Sequence, residues 1–125
     1  MARMFFIVGF GSFFGGGSRY LIQQFITRQY PSSFPYGTLL VNILGCFIIG
    51  ILFSLSEKAY LLSNEIKLLL VTGFCGGFTT FSSFSIENYA MLKDGQILYV
   101  LAYVGLSIFL GFMATYLGVF LIKIL

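Results

Sequence analysis

Residues 73–88 read GFCGGFTTFSSFSIEN, and this stretch decides which kind of fold the 125-residue chain can adopt. It contains three glycines, two threonines and three serines within a long apolar segment. Because glycine weakens helical backbone, the adjacent pair Gly76 and Gly77 predicts a break in a helix. Non-helical backbone persists at membrane depth only where protein or a water-filled cavity surrounds it, and its freed carbonyls can bind an ion. The stretch therefore indicates an ion site, and tight helix packing is the competing interpretation.

The composition of the chain indicates that this stretch lies in a membrane. Hydrophobic residues make up 58% of the chain and charged residues only 9%, whereas a soluble domain has about 25% charged residues. Hydropathy predicts one all-α domain, residues 1–125, with four spans at about residues 4–26, 37–54, 66–91 and 96–122. Each span approaches the length of about 20 residues that a helix needs to cross a bilayer.

Several functional classes are disfavoured by what the sequence contains. The net charge of +3 comes from scattered residues without a basic tract, so nucleic-acid binding is not expected. The chain has no histidine, and Cys46 and Cys75 lack metal-ligand spacing, so we interpret both as packing residues and expect no enzyme. The apolar run after Arg3 continues past Gly15 to spanning length, so we expect no cleavable signal peptide.

Basic residues give the chain only a weak preference for one orientation. With four spans, the N-terminus, the loop after span two and the C-terminus lie on one side of the membrane, and this side has four basic residues: Arg3, Lys58, Lys67 and Lys123. The opposite side has Arg28 and Lys93, with Arg19 near its end of span one. Because excess Lys and Arg faces the cytoplasm, such a balance is compatible with insertion both ways and antiparallel pairing. A single orientation is equally compatible with it. Glycines at GxxxG spacing, Gly11 with Gly15 and Gly73 with Gly77, favour close helix contact.

The third span carries an unusual polar and aromatic wall after the predicted break. Helical spacing places Phe81, Phe84 and Glu87 on one face, with Ser83 on the neighbouring stripe. Ring edges are positive and can attract an anion without a full charge, although core or lipid-facing phenylalanines are the alternative. Glu87 is the one acidic residue well inside a span, and it could bind a proton or cation or simply receive hydrogen bonds.

The other spans also contain polar faces. Asn42, on one face with Thr38, could offer amide hydrogens to an anion or make an interhelical hydrogen bond. Arg19 could raise the potential near a vestibule or reach the headgroups. Two further faces have helical spacing: Ser12, Gly15, Gly16, Arg19 and Gln23 in span one, and Tyr99, Tyr103, Ser107, Gly111 and Thr115 in span four.

Three segments together resemble the Fluc/CrcB family of fluoride channels: GFCGGFTTFSSF at residues 73–84, GGGSRY at 15–20 and GTLLVNILG at 37–45. The resemblance implies a dual-topology antiparallel homodimer in the inner membrane, with two fluoride pores. It also implies a structural sodium ion at the dimer interface, held by backbone carbonyls of Gly76 and Thr79. The implied fluoride-pore residues are Asn42, Phe81, Phe84, Thr38, Ser83, Tyr103, Ser107 and Glu87, with Arg19 in the vestibule. Gly111 replaces a serine that some members carry.

The resemblance implies passive fluoride efflux that lowers cytoplasmic fluoride. The main alternative is a proton-coupled exporter resembling the small multidrug resistance transporters, with Glu87 as its carboxylate. That class places its key glutamate in the first span, where this chain has none. A non-transporting assembly factor is a third possibility.

Overall fold

The computed structural model describes residues 1–58 and 62–125, and all regular secondary structure within these ranges is helical. Four apolar segments are long enough to cross a membrane: Ala2–Gln29, Tyr36–Glu57, Asn64–Lys93 and Ile97–Lys123. The predicted all-α fold with four membrane-spanning segments is confirmed. We label the first two helices α1 (Ala2–Gln29) and α2 (Tyr36–Glu57).

The third membrane-length segment contains several helical elements in succession. Helix α3 (Asn64–Lys67) begins where Ser63 Oγ accepts a hydrogen bond from the Ile66 backbone N–H at 3.2 Å. The backbone continues as a wider π-helix (Leu68–Cys75) and a short helix α4 (Gly76–Phe78). Helix α5 (Phe81–Lys93) follows, and helix α6 (Ile97–Lys123) forms the fourth segment.

The extended backbone between α4 and α5 lies at Thr79 and Thr80, not at the glycine pair that suggested a break. Gly76 has helical dihedral angles (φ −62°, ψ −38°), whereas Thr79 (φ −88°, ψ 157°) and Thr80 (φ −149°, ψ 118°) are extended. Threonine is β-branched and favours extended backbone. Thr80 Oγ1 also accepts a hydrogen bond from the Ser83 N–H at 3.1 Å, which caps α5.

Glycines allow α1 to pack directly against the third segment. A methyl group on Gly73 would lie 2.9 Å from the Val8 carbonyl oxygen, and one on Gly77 would lie 2.8 Å from the Ser12 carbonyl oxygen. On α1, a methyl group on Gly11 or Gly15 would likewise meet backbone atoms of the third segment. The two GxxxG pairs therefore face each other, as expected for close helix contact.

Helices α2 and α6 form the second close pair. Gly118 of α6 lies against the backbone of α2, where a side chain would meet the Phe47 carbonyl oxygen. Thr115 Oγ1 donates to the Cys46 carbonyl oxygen at 3.2 Å. Thr115 lies at the end of the polar face predicted for span four and is thus hydrogen-bonded to the neighbouring helix α2. The outer surfaces of the helices carry many exposed phenylalanine and leucine side chains, as a lipid environment requires.

Candidate functional site

A cavity of about 450 Å³ lies between α2, the third segment and α6. Its wall contains six residues that the sequence patterns and the resemblance assigned to a site: Asn42, Gly76, Thr79, Phe81, Phe84 and Ser107. We call it the aromatic cavity. None of the described residues that line it is charged.

A second cavity of about 340 Å³ lies beside the loop that joins α1 to α2. Its wall contains three other predicted residues, Thr38, Ser83 and Glu87, and also Gln23. We call it the polar cavity, because hydroxyl, amide and carboxylate groups form much of its wall. The predicted polar residues are therefore divided between two cavities.

Tyr103 connects the residues of the two cavities. Its side chain is 0% exposed. The Tyr103 ring packs on the ring of Phe84, with centroids 4.9 Å apart, and its hydroxyl donates to Glu87 Oε1 at 2.9 Å. Since Phe84 lines the aromatic cavity and Glu87 lines the polar cavity, Tyr103 contacts one residue of each cavity.

The two predicted phenylalanines differ strongly in burial. The rings of Phe81 and Phe84 have centroids 5.7 Å apart and planes tilted by 38°. Phe84 is half-buried against Tyr103, whereas Phe81 is 80% exposed at the open side of the aromatic cavity. One copy of the chain therefore leaves this cavity open along the side where Phe81 projects.

Asn42 holds the extended backbone of the third segment. Its Oδ1 accepts from the Thr80 N–H at 2.8 Å, and its Nδ2 donates to the Thr80 carbonyl oxygen at 3.2 Å. This is the interhelical hydrogen bonding that the sequence left open as one of two roles. An amide nitrogen carries two hydrogens, so Asn42, which lines the aromatic cavity, keeps a second N–H for another acceptor.

Backbone carbonyls near the interruption have lost their ordinary helical donors. The Thr80 N–H, which would bond the Gly76 carbonyl in a continuous α-helix, bonds Asn42. The Ser83 N–H, which would bond the Thr79 carbonyl, bonds the Thr80 hydroxyl. Both Gly76 and Thr79 also line the aromatic cavity. These two positions thus fit the carbonyl ligands that a sodium ion requires.

Glu87 is the acceptor at the centre of a hydrogen-bonded cluster. Thr38 Oγ1 donates to Glu87 Oε2 at 2.7 Å, and the Tyr103 hydroxyl donates to Oε1 at 2.9 Å. Both carboxylate oxygens therefore have partners. Of the roles left open for Glu87, the structure shows the one in which the side chain receives hydrogen bonds.

Arg19 is joined to this cluster through Gln23. Arg19 Nε donates to the Gly77 carbonyl oxygen at 3.2 Å, and its Nη1 donates to Gln23 Oε1 at 3.4 Å. Gln23 Nε2 in turn donates to Thr38 Oγ1 at 3.0 Å. A continuous chain of hydrogen bonds thus runs from the first span to Glu87.

Comparison with known proteins identifies the family. Residues 6–119 match the family described as CrcB-like protein, Camphor Resistance (CrcB). The chain belongs to the CrcB-like protein family. A fluoride-specific ion channel FluC from Chlorobium phaeobacteroides (strain DSM 266) is 48% identical over 120 residues, which cover 96% of this chain and 92% of the relative. The protein of the same name from Flavobacterium psychrophilum is 42% identical, with 97% of this chain and 98% of the relative covered.

The family and the helices together define the class of molecule. The relatives carry the name of ion channels, so this CrcB-like protein belongs to a non-enzymatic family, as expected. Its four apolar membrane-length helices make it a multi-pass membrane protein. The resemblance read from the sequence is therefore confirmed.

Two positions on α6 of the CrcB-like protein complete the site. Ser107 lines the aromatic cavity, and its Oγ is buried and has no hydrogen-bond partner among the described residues. Gly111, one turn further along the same wall, carries no polar group, and a methyl group there would lie 3.5 Å from Cys46 Sγ. The hydroxyl-bearing face therefore ends at Ser107 inside this cavity.

Gln23 is the contact that sequence reasoning did not assign to the site. Helical spacing places Gln23 on one face with Arg19, but this spacing does not predict that Gln23 links Arg19 to Thr38. The sequence does show that Arg19 and Gln23 are four residues apart within an apolar span, a spacing at which two side chains of one helix can contact each other. The partner on α2 gives no comparable signal in sequence.

Proposed function

We propose that this CrcB-like protein is a fluoride-selective channel that lowers cytoplasmic fluoride by passive efflux through the inner membrane. The observation that carries the proposal is the meeting of Asn42, Phe81, Phe84 and Ser107 at one uncharged cavity. The name of the relatives, fluoride-specific ion channel FluC, supports the choice of ion.

The groups at the aromatic cavity suit a small, strongly hydrated anion. A pore for fluoride must replace its water shell with hydrogen-bond donors and positive edges. The second N–H of Asn42 and the unpartnered hydroxyl of Ser107 supply donors, and the rings of Phe81 and Phe84 supply edges. Because none of the described residues that line this cavity carries a positive charge, the anion is bound weakly enough to leave.

The proposal includes an antiparallel homodimer with two pores. The exposure of Phe81 at the open side of the cavity supports it, because a second copy would complete that wall. The near balance of basic residues on the two sides of the membrane is compatible with opposite insertion of the two copies.

The carbonyls of Gly76 and Thr79 from both copies would hold a sodium ion at the dimer interface. Carbonyl oxygens are suitable ligands for a hard cation, and both groups lack their ordinary helical donors. When bound, the ion supplies a fixed positive charge that favours an anion nearby. Exchange of sodium for choline should therefore lower the unfolding temperature of the purified dimer.

Fluoride efflux from liposomes tests the proposal directly. Vesicles loaded with potassium fluoride are treated with a potassium ionophore, and external fluoride is followed with an electrode. We expect fast fluoride release that depends on the ionophore, and no comparable chloride release from matched vesicles. Absence of flux, equal chloride flux, or slow flux that requires proton exchange would contradict the proposal. Vesicles without protein give the background rate.

A further inference from the structure

The hydrogen-bond directions around Glu87 determine which groups of the polar cavity can still donate to a ligand. Thr38 Oγ1 receives a hydrogen bond from Gln23 Nε2 at 3.0 Å, and its single hydrogen points to Glu87 Oε2 at 2.7 Å. The single hydrogen of the Tyr103 hydroxyl likewise points to Glu87 Oε1. Thr38 and Tyr103 therefore present no free O–H to an anion in this arrangement.

Gln23 is the neutral amide that retains a free donor at the same cavity. Arg19 Nη1 can only donate, so it fixes Oε1 as the atom of Gln23 that faces Arg19 at 3.4 Å. The Nε2 end consequently faces Thr38, and Gln23 lines the polar cavity. One of the two Nε2 hydrogens goes to Thr38, which leaves the second for a ligand.

The position of Gln23 parallels that of Asn42 in the aromatic cavity. Each amide uses one N–H within the protein and keeps a second, and each lines one of the two cavities. Both are uncharged, so both can hold an anion without binding it tightly. The amide of Gln23 also lies between Arg19 and Thr38, to which it is hydrogen-bonded on either side.

We infer that Gln23 is a second anion-binding amide, which holds a halide in the polar cavity, and that Arg19 is the positioning residue that orients it. The inference rests on the proposed channel function and adds a binding group that the family resemblance did not supply. Ser83, whose hydroxyl lines the same cavity, is the neighbouring donor.

Substitution of Gln23 by glutamate removes both N–H donors at nearly constant size and adds a negative charge. The matched control is Gln24→Glu, which makes the same chemical change one residue along α1, at an exposed position. We expect Gln23→Glu to slow fluoride efflux per active vesicle by more than about a hundredfold, because the loss of a hydrogen bond to a charged partner alone slows it by about tenfold to a hundredfold and the added negative charge also repels the anion. The Gln24→Glu protein should retain the wild-type rate.

Two readouts separate binding from a purely structural role. The fraction of vesicles that release fluoride at low protein density reports how much protein has assembled, whereas the rate in those vesicles reports conduction. Gln23→Met, which removes the donors without adding charge, should also slow the rate and raise the fluoride concentration needed for half-maximal flux. A purely structural role would lower the active fraction alone.

The outcomes distinguish this inference from the proposed function. If the wild-type protein passes no fluoride, the channel function fails, and the inference fails with it. If the wild-type protein passes fluoride but Gln23→Glu and Gln23→Met conduct like Gln24→Glu, only the inference is overturned. If neither Gln23 variant assembles, as judged by gel filtration, the residue is structural and the inference is wrong.

Discussion

Replacement of Asn42 by aspartate should abolish most fluoride flux while much of the assembled protein remains. The change keeps the size of the side chain and the Oδ1 atom that accepts from the Thr80 N–H at 2.8 Å. It replaces Nδ2, which donates to the Thr80 carbonyl at 3.2 Å, with an oxygen that cannot donate. The variant thus loses one interhelical hydrogen bond, loses the free N–H at the aromatic cavity and gains a negative charge there.

The structure separates the expected effects on stability and on conduction. A lost interhelical hydrogen bond in a membrane protein costs about 0.6 kcal/mol, and up to about 1.7 kcal/mol, and repulsion between the new carboxylate oxygen and the Thr80 carbonyl oxygen adds to this cost. A negative charge about 4 Å from the path of an anion raises its energy by about 4 kcal/mol at an effective dielectric constant of about 20. That increase slows passage by about a thousandfold. Conduction should therefore fall far more than assembly.

The assay is fluoride efflux from liposomes, with the rate measured in vesicles that contain active protein. Asn64→Asp is the matched control, because it makes the same change at the exposed first residue of α3. Gel filtration in detergent compares the assembled fractions of both variants with that of the wild type. An Asn42→Asp rate within about threefold of the wild-type rate would refute the placement of Asn42 on the ion path.

Three further substitutions, one of them with a matched control, test other parts of the structure. Phe81→Ile should slow fluoride efflux by about twofold to tenfold, because an aromatic edge contributes about 0.5–1.5 kcal/mol, and an unchanged rate would remove Phe81 from the path. Gly77→Ala should destabilise the protein by about 1–3 kcal/mol in detergent-mediated unfolding, because its methyl group would lie 2.8 Å from a backbone carbonyl oxygen of α1. Gly17→Ala, where nothing lies within 4 Å, should not destabilise it, and equal effects would contradict the packing. Arg3→Ala should lower the free energy of unfolding by less than about 1 kcal/mol, because the side chains of Arg3 and Glu65 are 78% and 53% exposed in their 3.0 Å ion pair. A larger decrease would contradict the assignment of this ion pair as a weak surface contact.

The main features of the fold could be predicted from patterns that lie within short stretches of sequence. Apolar runs of membrane-spanning length predict helices because lipid cannot satisfy a free backbone, and the described residues contain four such helical segments. The spacing of Gly11 with Gly15 and of Gly73 with Gly77 predicted close contact, and the two pairs pack against each other. Both predictions depend only on residues within the same helix.

The position of the extended backbone could not be read from the glycines alone. Glycine lowers the preference for a helix, but Gly76 remains helical in a segment that packs closely on α1. Thr80 is extended where a hydroxyl cap and two hydrogen bonds from Asn42 satisfy its backbone. The asparagine lies 38 residues earlier in the chain, and no local propensity contains that contact.

The hydrogen-bond partners of the polar side chains could not be predicted from the sequence either. Helical spacing placed Glu87 beside Ser83 and Phe84, but its hydrogen bonds come from Thr38 on α2 and Tyr103 on α6. These contacts join residues 49 and 16 positions apart. Periodicity identifies the face of a helix, whereas the partner of that face depends on how separate helices meet.

The placement of charge within the described structure provides a physical reason for two cavities. A carboxylate on the wall of a narrow anion path would repel the ion by several kcal/mol, and a free guanidinium would hold it too long. Glu87 lines the polar cavity with both oxygens occupied by hydroxyl donors, and Arg19 donates to a carbonyl and an amide. None of the described residues on the wall of the aromatic cavity is charged. In the proposed channel, the amides of Gln23 and Asn42 would therefore stand between these charges and a small anion, which favours both its entry and its release.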